Sequence, residues 1–116
     1  MSTLAGLAWE RFNDLIERKV VDGERMTCTR YRFAPGGSFP LHSHDQEQLA
    51  YLISGRVTFA LPDGDHVLTP DEVLIIPPDV PHSAHAGDEG AEVLSVVTPA
   101  RTGGHGIDML DEPEGS

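Results

Sequence analysis

Turn-forming residues interrupt this chain at short, fairly regular intervals, and that spacing is the strongest constraint on its fold. Three of the turns are Asp22-Gly23, Pro35-Gly36-Gly37 and Pro62-Asp63-Gly64. Between the turns lie short runs rich in branched and aromatic residues, which fit strands better than helices. The pattern therefore predicts an all-β protein, either a small sandwich or a barrel.

Several apolar runs are predicted to be individual strands. LAYLI and VTFAL are separated only by SGR, which indicates a hairpin. LIERKVV and RMTCTRYRF flank the Asp22-Gly23 turn and are expected to pair, whereas VLII and VLSVV have the length of buried strands. Apolar residues over 4–18 lie near helical spacing, so a short helix is predicted there, with strand as the alternative for part of it.

The length and the charge of the chain limit its organisation and its partners. Its 116 residues suffice for one core, so we expect a single domain over 1–102 and a loose, acidic, glycine-rich tail over 103–116. With 19 acidic against 8 basic residues the formal charge is −11, which repels nucleic acids and anionic membranes.

The sequence also limits where the protein works. No apolar run approaches the roughly 20 residues of a membrane span, and the first residues lack the pattern of an export signal. A cytoplasmic protein is therefore expected. The lone Cys28 cannot form an internal disulfide and is interpreted as a small buried hydrophobe rather than a nucleophile.

Two histidines, His42 and His44, lie one residue apart in the segment PLHSHDQEQLAYLISG. Alternate side chains of an extended segment share a face, so both imidazoles can bind one ion. A third histidine, His82, follows prolines that keep the backbone extended. Three neutral imidazoles suit Zn, Fe, Ni, Mn or Cu better than Mg or Ca. The alternative is a set of surface or hydrogen-bonded histidines.

The residue that completes such a site is either Gln48 or Glu47. If the alternation persists from His42 onward, Gln48 lies on the histidine face and Glu47 on the opposite face, whereas a bulge after His44 would reverse this. A neutral amide oxygen would leave the ion its whole +2 charge. Such an ion would be a stronger Lewis acid than one bound by a carboxylate.

The spacing of five residues resembles the first sequence motif of the cupin superfamily: Gly36, His42, His44, Gln48 and Gly55. In the family pattern, glutamate normally occupies the position of Gln48. The resemblance implies a double-stranded β-helix, a jelly-roll-like barrel that binds one divalent ion near its mouth. It also implies that His42, His44, Gln48 and His82 are the metal ligands.

A second cupin motif is similar to the residues Asp71, Pro77, Asp79 and His82. Both aspartates replace glycines of the family pattern, and aspartate tolerates the left-handed turn geometry that such positions need better than most residues. Ala86 replaces an asparagine of the pattern.

Within the superfamily, ERKVVDGERMTCTRYRFAPGG and HSHDQEQLAYLISG are similar to the KdgF-like group, pectin-degradation cupins that convert unsaturated uronates to a linear keto form. That group has Asp-x-Phe-x-x-x-Arg in its C-terminal strand, where this chain has Ser95, Val97 and Arg101. The acid for proton transfer is absent, which argues against that reaction by that route. Arg101 is either a catalytic residue that holds a substrate carboxylate or a solvated strand end.

The resemblance therefore predicts a small enzyme in which one divalent transition metal ion (Zn, Mn, Ni or Fe) acts as a Lewis acid on an oxygenated small molecule. The expected reaction is of the lyase, isomerase or cyclase type. One alternative is a cupin dioxygenase using Fe, Ni or Cu, and the other is a non-catalytic cupin that binds a metal or a small ligand. The expected assembly is a homodimer that covers exposed sheet edges.

Overall fold

The described part of the chain, residues 4–100 and 108–109 of the computed structural model, contains nine strands and no helix. They are β1 (Glu10–Asn13), β2 (Ile16–Asp22), β3 (Thr27–Phe33), β4 (Ser38–Ser43), β5 (Glu47–Leu61), β6 (Gly64–Leu68), β7 (Val73–Ile76), β8 (His82–Thr98) and β9 (Asp108–Met109). The prediction of an all-β barrel is confirmed. Within these residues, nothing helical is long and apolar enough to cross a membrane.

The two longest strands, β5 and β8, organise the sheet. They pair antiparallel from Glu47 opposite Thr98 to Ala60 opposite Ser83. β8 also pairs with β3 and β4, while β5 also pairs with β6 and β7. Because every sheet neighbour of β8 contributes inward-facing side chains, the interior is built around this one strand.

The long strands bend where two glycines meet. Gly55 has a φ of 82° and Gly90 a φ of 78°, and the β5–β8 register shifts on either side of Gly55. The hairpin predicted for LAYLI and VTFAL is therefore wrong. The two runs are halves of the single strand β5, because Gly55 bends the chain without reversing it, and VTFAL pairs instead with β6.

The helix predicted within residues 4–18 is also wrong, and the strand alternative holds for this segment. β1 and β2 pair with each other, and β2 pairs with β3 as predicted, with Asp22 opposite Thr27. Ile16 is fully buried, whereas Leu7 and Leu15 are exposed. The apolar residues thus do not share one buried face, and pairing with β3 outweighs their near-helical spacing.

A row of apolar side chains crosses the outer face of the sheet. The registers align Val21 with Cys28, Cys28 with Val96, Val96 with Leu49, and Leu49 with Ile75. Leu49 is 37% exposed and Ile75 is 49% exposed. Cys28 lies half-buried in this outer row rather than in the core, and burial raises the pKa of its thiol, which disfavours the nucleophilic thiolate.

Only two residues of the predicted tail are described. Asp108 and Met109 form β9, which pairs with β4 opposite Ser43 and His42. The rest of the segment 103–116 lies outside the described residues, so its looseness stays a prediction.

Replacing Gly55 with alanine is expected to destabilise the protein severely. The added Cβ would lie 2.1 Å from the backbone carbonyl oxygen of Gly90. We expect a loss of more than about 3 kcal/mol in the free energy of unfolding, measured by urea denaturation. The control is Gly36→Ala, where φ is 75° but no atom lies within 4 Å of the new Cβ. It should lose only about 1–2 kcal/mol, the cost of a left-handed backbone; equal losses would contradict the steric explanation.

Candidate metal centre

Three buried histidines meet at one end of the barrel. His42 lies near the end of β4, His44 follows that strand, and His82 begins β8. His42 and His82 are direct partners across the β4–β8 ladder. One ring nitrogen from each imidazole lies within 4.8 Å of the others, so the three side chains could hold one metal ion.

The alternation of the chain continues through the loop between β4 and β5. Side chains are buried at His42, His44, Gln46 and Gln48, whereas Glu47 is exposed. No bulge therefore reverses the sides. Gln48 lies with the histidines, and Glu47 points away from them.

Each histidine is held by a hydrogen bond from its Nδ1 to a backbone carbonyl oxygen. Nδ1 of His42 lies 2.7 Å from the oxygen of Pro40, and Nδ1 of His82 lies 2.8 Å from that of Val80. For His44 the acceptor is the oxygen of Gln46, at 3.1 Å. Because a carbonyl oxygen only accepts, Nδ1 bears the proton, and the lone pair of each neutral ring is on Nε2. Metal-binding histidines are typically oriented by such a bond from the other ring nitrogen.

The amide of Gln48 completes the donor set. Its Oε1 lies 3.0 Å from Nε2 of His44. With the proton on Nδ1, both atoms are acceptors. Without an ion the contact is favourable only if the amide turns its NH₂ toward the ring. Nitrogen and oxygen ligands of a transition metal lie about 2.0–2.2 Å from the ion, and an ion held by these two acceptors would compensate for their approach. The donor set therefore fits a transition metal.

The two motif aspartates adopt the predicted left-handed backbone. Asp71 has a φ of 75° and Asp79 a φ of 63°. The backbone N–H of Asp79 donates to the carbonyl oxygen of His44 at 2.8 Å. The turn before His82 is thereby tied to the loop that bears His44, which fixes the third histidine relative to the first two.

A cavity of about 30 Å³ adjoins this cluster inside the barrel. Its lining combines four aromatic side chains, three of the candidate ligands, two aliphatic residues and one serine: Tyr31, Phe33, Phe39, Phe59, His42, Gln48, His82, Ala84, Val93 and Ser95. Among the described residues that line it, none has a carboxylate, an ammonium or a guanidinium group. A larger groove of about 400 Å³, which includes Arg11 and Glu89, contains none of the candidate ligands.

The remaining positions named from the sequence are either inward-facing, exposed or outside the described residues. Ser95 and Val97 are both buried and point inward from β8, so the positions compared with the KdgF-like acid and aromatic do face the interior. His85 follows His82 by three residues, and on the extended strand β8 it lies exposed on the other face. Arg101 lies outside the described residues, and its role stays a prediction.

Sequence reasoning missed two inward-facing polar residues. Tyr31 lines the cavity, and Gln46 is 4% exposed with a buried Oε1 that has no hydrogen-bond partner in the described part of the chain. Alternation in TCTRYRF and HDQEQ would have placed both side chains inward. Their position relative to the histidines depends on how the sheet closes, which alternation does not reveal.

Solved structures with this fold include three different proteins. An RmlC-like cupin from Shewanella frigidimarina NCIMB 400 is 22% identical, with a TM-score of 0.79 over 86% of this chain and 90% of that one. KdgF from Halomonas sp. is 21% identical, with a TM-score of 0.78 over 84% and 92%. Oxalate decarboxylase from Bacillus subtilis is 24% identical, with a TM-score of 0.81 over 94% of this chain but only 31% of that one. At these identities the likeness shows the fold.

Sequence comparison gives the family. Among curated protein sequences none matches this chain. The sequence pattern of the cupin domain matches residues 29–97, which include most of β3, all of β4 to β7, most of β8 and all four candidate ligands. With more than half of its length in that match, the protein belongs to the cupin family.

Proposed function

We propose that this cupin is a metal-dependent enzyme that acts on a small oxygenated molecule in a lyase, isomerase or cyclase type of reaction. His42, His44, His82 and Gln48 would hold one divalent transition metal ion. When bound, the ion supplies Lewis-acid polarisation of an enol, keto or carboxylate oxygen. The single observation that supports this most strongly is that all four donors are neutral.

If all protein ligands are neutral, the first negative charge beside the +2 ion comes from the substrate. The Nδ1 hydrogen bonds to carbonyl oxygens leave Nε2 of each imidazole as the donor atom, and an imidazole that binds an ion through Nε2 is a neutral ligand, as is the amide of Gln48. No charged side chain was found among the described residues of the cavity wall. In this apolar surrounding the attraction between a +2 ion and an anionic oxygen is much stronger than in water. The site thus favours an enolate or carboxylate ligand.

The protein groups around the ion define what the site can do with that ligand. Aromatic rings form much of the cavity wall, and Ser95 offers a hydroxyl where a carboxylic acid would be needed for the KdgF-like proton transfer. We therefore do not assign that uronate reaction. The fold shared with oxalate decarboxylase, whose name describes action on a small carboxylate, is consistent with a small oxygenated acid as substrate.

Removing one candidate ligand should remove the metal. We expect His82→Ala and Gln48→Ala to lower the metal content of protein purified without chelator from about one ion per chain to well below half, measured by elemental analysis. His85→Ala and Glu47→Ala are the matched controls, because both side chains point away from the site, and they should keep the wild-type content. Unchanged stoichiometry in both ligand variants, with folding verified by circular dichroism, would refute the site.

Activity should be retained with zinc and without oxygen. Zn²⁺ has no redox chemistry, so a Lewis-acid reaction on enolisable oxo acids should proceed anaerobically in zinc-loaded protein. The measurement is product formation by NMR alongside an oxygen electrode, with protein loaded separately with Zn, Mn, Ni or Fe. Oxygen consumption that matches turnover, restricted to redox-active ions, would identify a cupin dioxygenase instead. Metal binding without turnover of any enol, keto acid or flavonol would favour a non-catalytic cupin.

We also propose that a second copy of the chain covers the outer apolar row from Val21 to Ile75. The row is continuous over five strands, and none of its five side chains is charged although the chain has a net charge of −11. A two-fold dimer needs only one self-complementary patch of this kind, and homodimer interfaces are the most apolar ones.

The mass in solution tests this homodimer. Wild-type protein should sediment with the mass of two chains, and Ile75→Lys should shift it toward one. Val67→Lys is the control, since Val67 is 51% exposed on β6 and outside the row. A wild-type mass of one chain, or equal effects of the two lysines, would refute this interface.

A further inference from the structure

We propose that the hydroxyl of Tyr31 binds the ligand of this site in addition to the ion, and that the hydroxyl of Ser95 assists it. The hydroxyl of Tyr31 would donate a hydrogen bond to a ligand oxygen outside the carboxylate, while the carboxylate would bind the ion. The substrate class is then a short monocarboxylic acid with an oxo or hydroxyl group beside its carboxylate. This inference rests on the proposed function and adds a specificity-determining residue to it.

The ring of Tyr31 is fixed in the barrel by its neighbours. It points inward from β3 and is 6% exposed. It lies edge-on to Phe39, with ring centroids 5.6 Å apart, and 6.3 Å from the ring of Phe33. Phe39 in turn lies 4.6 Å from the ring of His42. Tyr31 is thus packed one aromatic ring away from a candidate ligand, with its orientation set by packing rather than by a polar partner.

The hydroxyl of Tyr31 makes no hydrogen bond to any described residue, and its oxygen is not among the fully buried side-chain atoms without a partner. The hydroxyl is therefore accessible although the side chain as a whole is buried. A tyrosine in such a position has an apolar ring and a polar end that is free to bind another group. The hydroxyl of Tyr51, the other tyrosine of the chain, already donates to Asp71. Because Tyr31 lines the cavity beside the histidines, a ligand in that cavity can satisfy its hydroxyl.

Ser95 lies between Tyr31 and the candidate ligand Gln48 on the inner face of the sheet. Tyr31 of β3 pairs with Val93 of β8, and Ser95 of β8 pairs with Ala50 of β5. On the inner face Ser95 is therefore the diagonal neighbour of Tyr31 on one side and of Gln48 on the other. Diagonal neighbours lie about 7–8 Å apart, within reach of long side chains. Ser95 is 2% exposed and, like Tyr31, has no side-chain hydrogen bond to a described residue.

The cavity determines which ligands suit these two hydroxyls. Its volume of about 30 Å³ admits only a compact group. Since none of the described lining residues is charged, a second carboxylate or an ammonium group would be buried without a counter-charge, which is costly. An uncharged carbonyl or hydroxyl oxygen has no such cost. A monoanion with one oxo or hydroxyl oxygen near its carboxylate matches both the neutral donor set and the two hydroxyls.

The test compares lactate with acetate as probes, because only lactate has the additional oxygen. Protein loaded with Co²⁺ is titrated with each anion, and binding is read from the visible absorption of the metal site. Tyr31→Phe should weaken lactate binding about three- to tenfold and leave acetate binding unchanged, which is the loss of one neutral hydrogen bond. Ser95→Ala should weaken lactate binding in the same direction and by no more.

Two control variants make the same substitutions on residues outside the cavity lining: Tyr51→Phe and Ser83→Ala. Both should bind the two probes as wild type does. Equal lactate-to-acetate ratios in wild type and Tyr31→Phe, at unchanged cobalt content and thermal stability, would overturn this inference while leaving the metal site intact. Failure of the wild-type protein to take up cobalt, or to respond to either probe, would overturn the proposed function and this inference together.

Discussion

The antiparallel pairing of β5 with β8 is the constraint on which the rest of the structure depends. β8 supplies His82 at its start and Ser95 near its end, and β5 supplies Gln48. The same strand β8 pairs with β4 through His42 and with β3 opposite Tyr31. Every group assigned to the site is therefore positioned by a ladder that includes β8 or adjoins it, and a shift of one residue in that ladder would turn the inward side chains outward.

The bend at Gly55 and Gly90 lets the paired strands β5 and β8 contribute to two parts of the barrel wall. On the N-terminal side of Gly90, β8 pairs with β4, and on the C-terminal side it pairs with β3. A straight pair would have left the interior open, because a sheet that does not curl cannot bring β3 and β4 around the same core. The close approach of the two backbones leaves no space for a side chain at Gly55, so this bend of the fold requires glycine at this position.

Much of the site was predictable from the sequence, for identifiable reasons. Alternation is a local property, so it placed Gln48 with the histidines and Glu47 outside. The left-handed backbone at Asp71 and Asp79 followed from the tolerance of aspartate for such turns. The hairpin at SGR was wrong because a single glycine permits either a reversal or a bend, and only pairing with β8 decides between them.

Other features required the closed barrel. The near-helical spacing before Ile16 was a local pattern that β2 and β3 pairing overrode. Tyr31 lies on β3, which bears none of the histidines, and nothing in TCTRYRF indicates that its side chain reaches their cavity. The outer apolar row likewise exists only through four successive registers, because its members come from five separate strands.

The hydrogen bonds that hold the three imidazoles have a consequence for the energetics of the whole chain. Since their Nδ1 atoms are already bound to backbone carbonyls, loading an ion requires little rearrangement of the rings. The candidate ligands come from β4, the loop after it, β5 and β8, so they are together only in the folded chain. An ion that binds the native state and not the unfolded one raises the free energy of unfolding with the logarithm of its free concentration. With the proposed ion bound, the thermal midpoint of this protein would therefore rise with the free concentration of the metal.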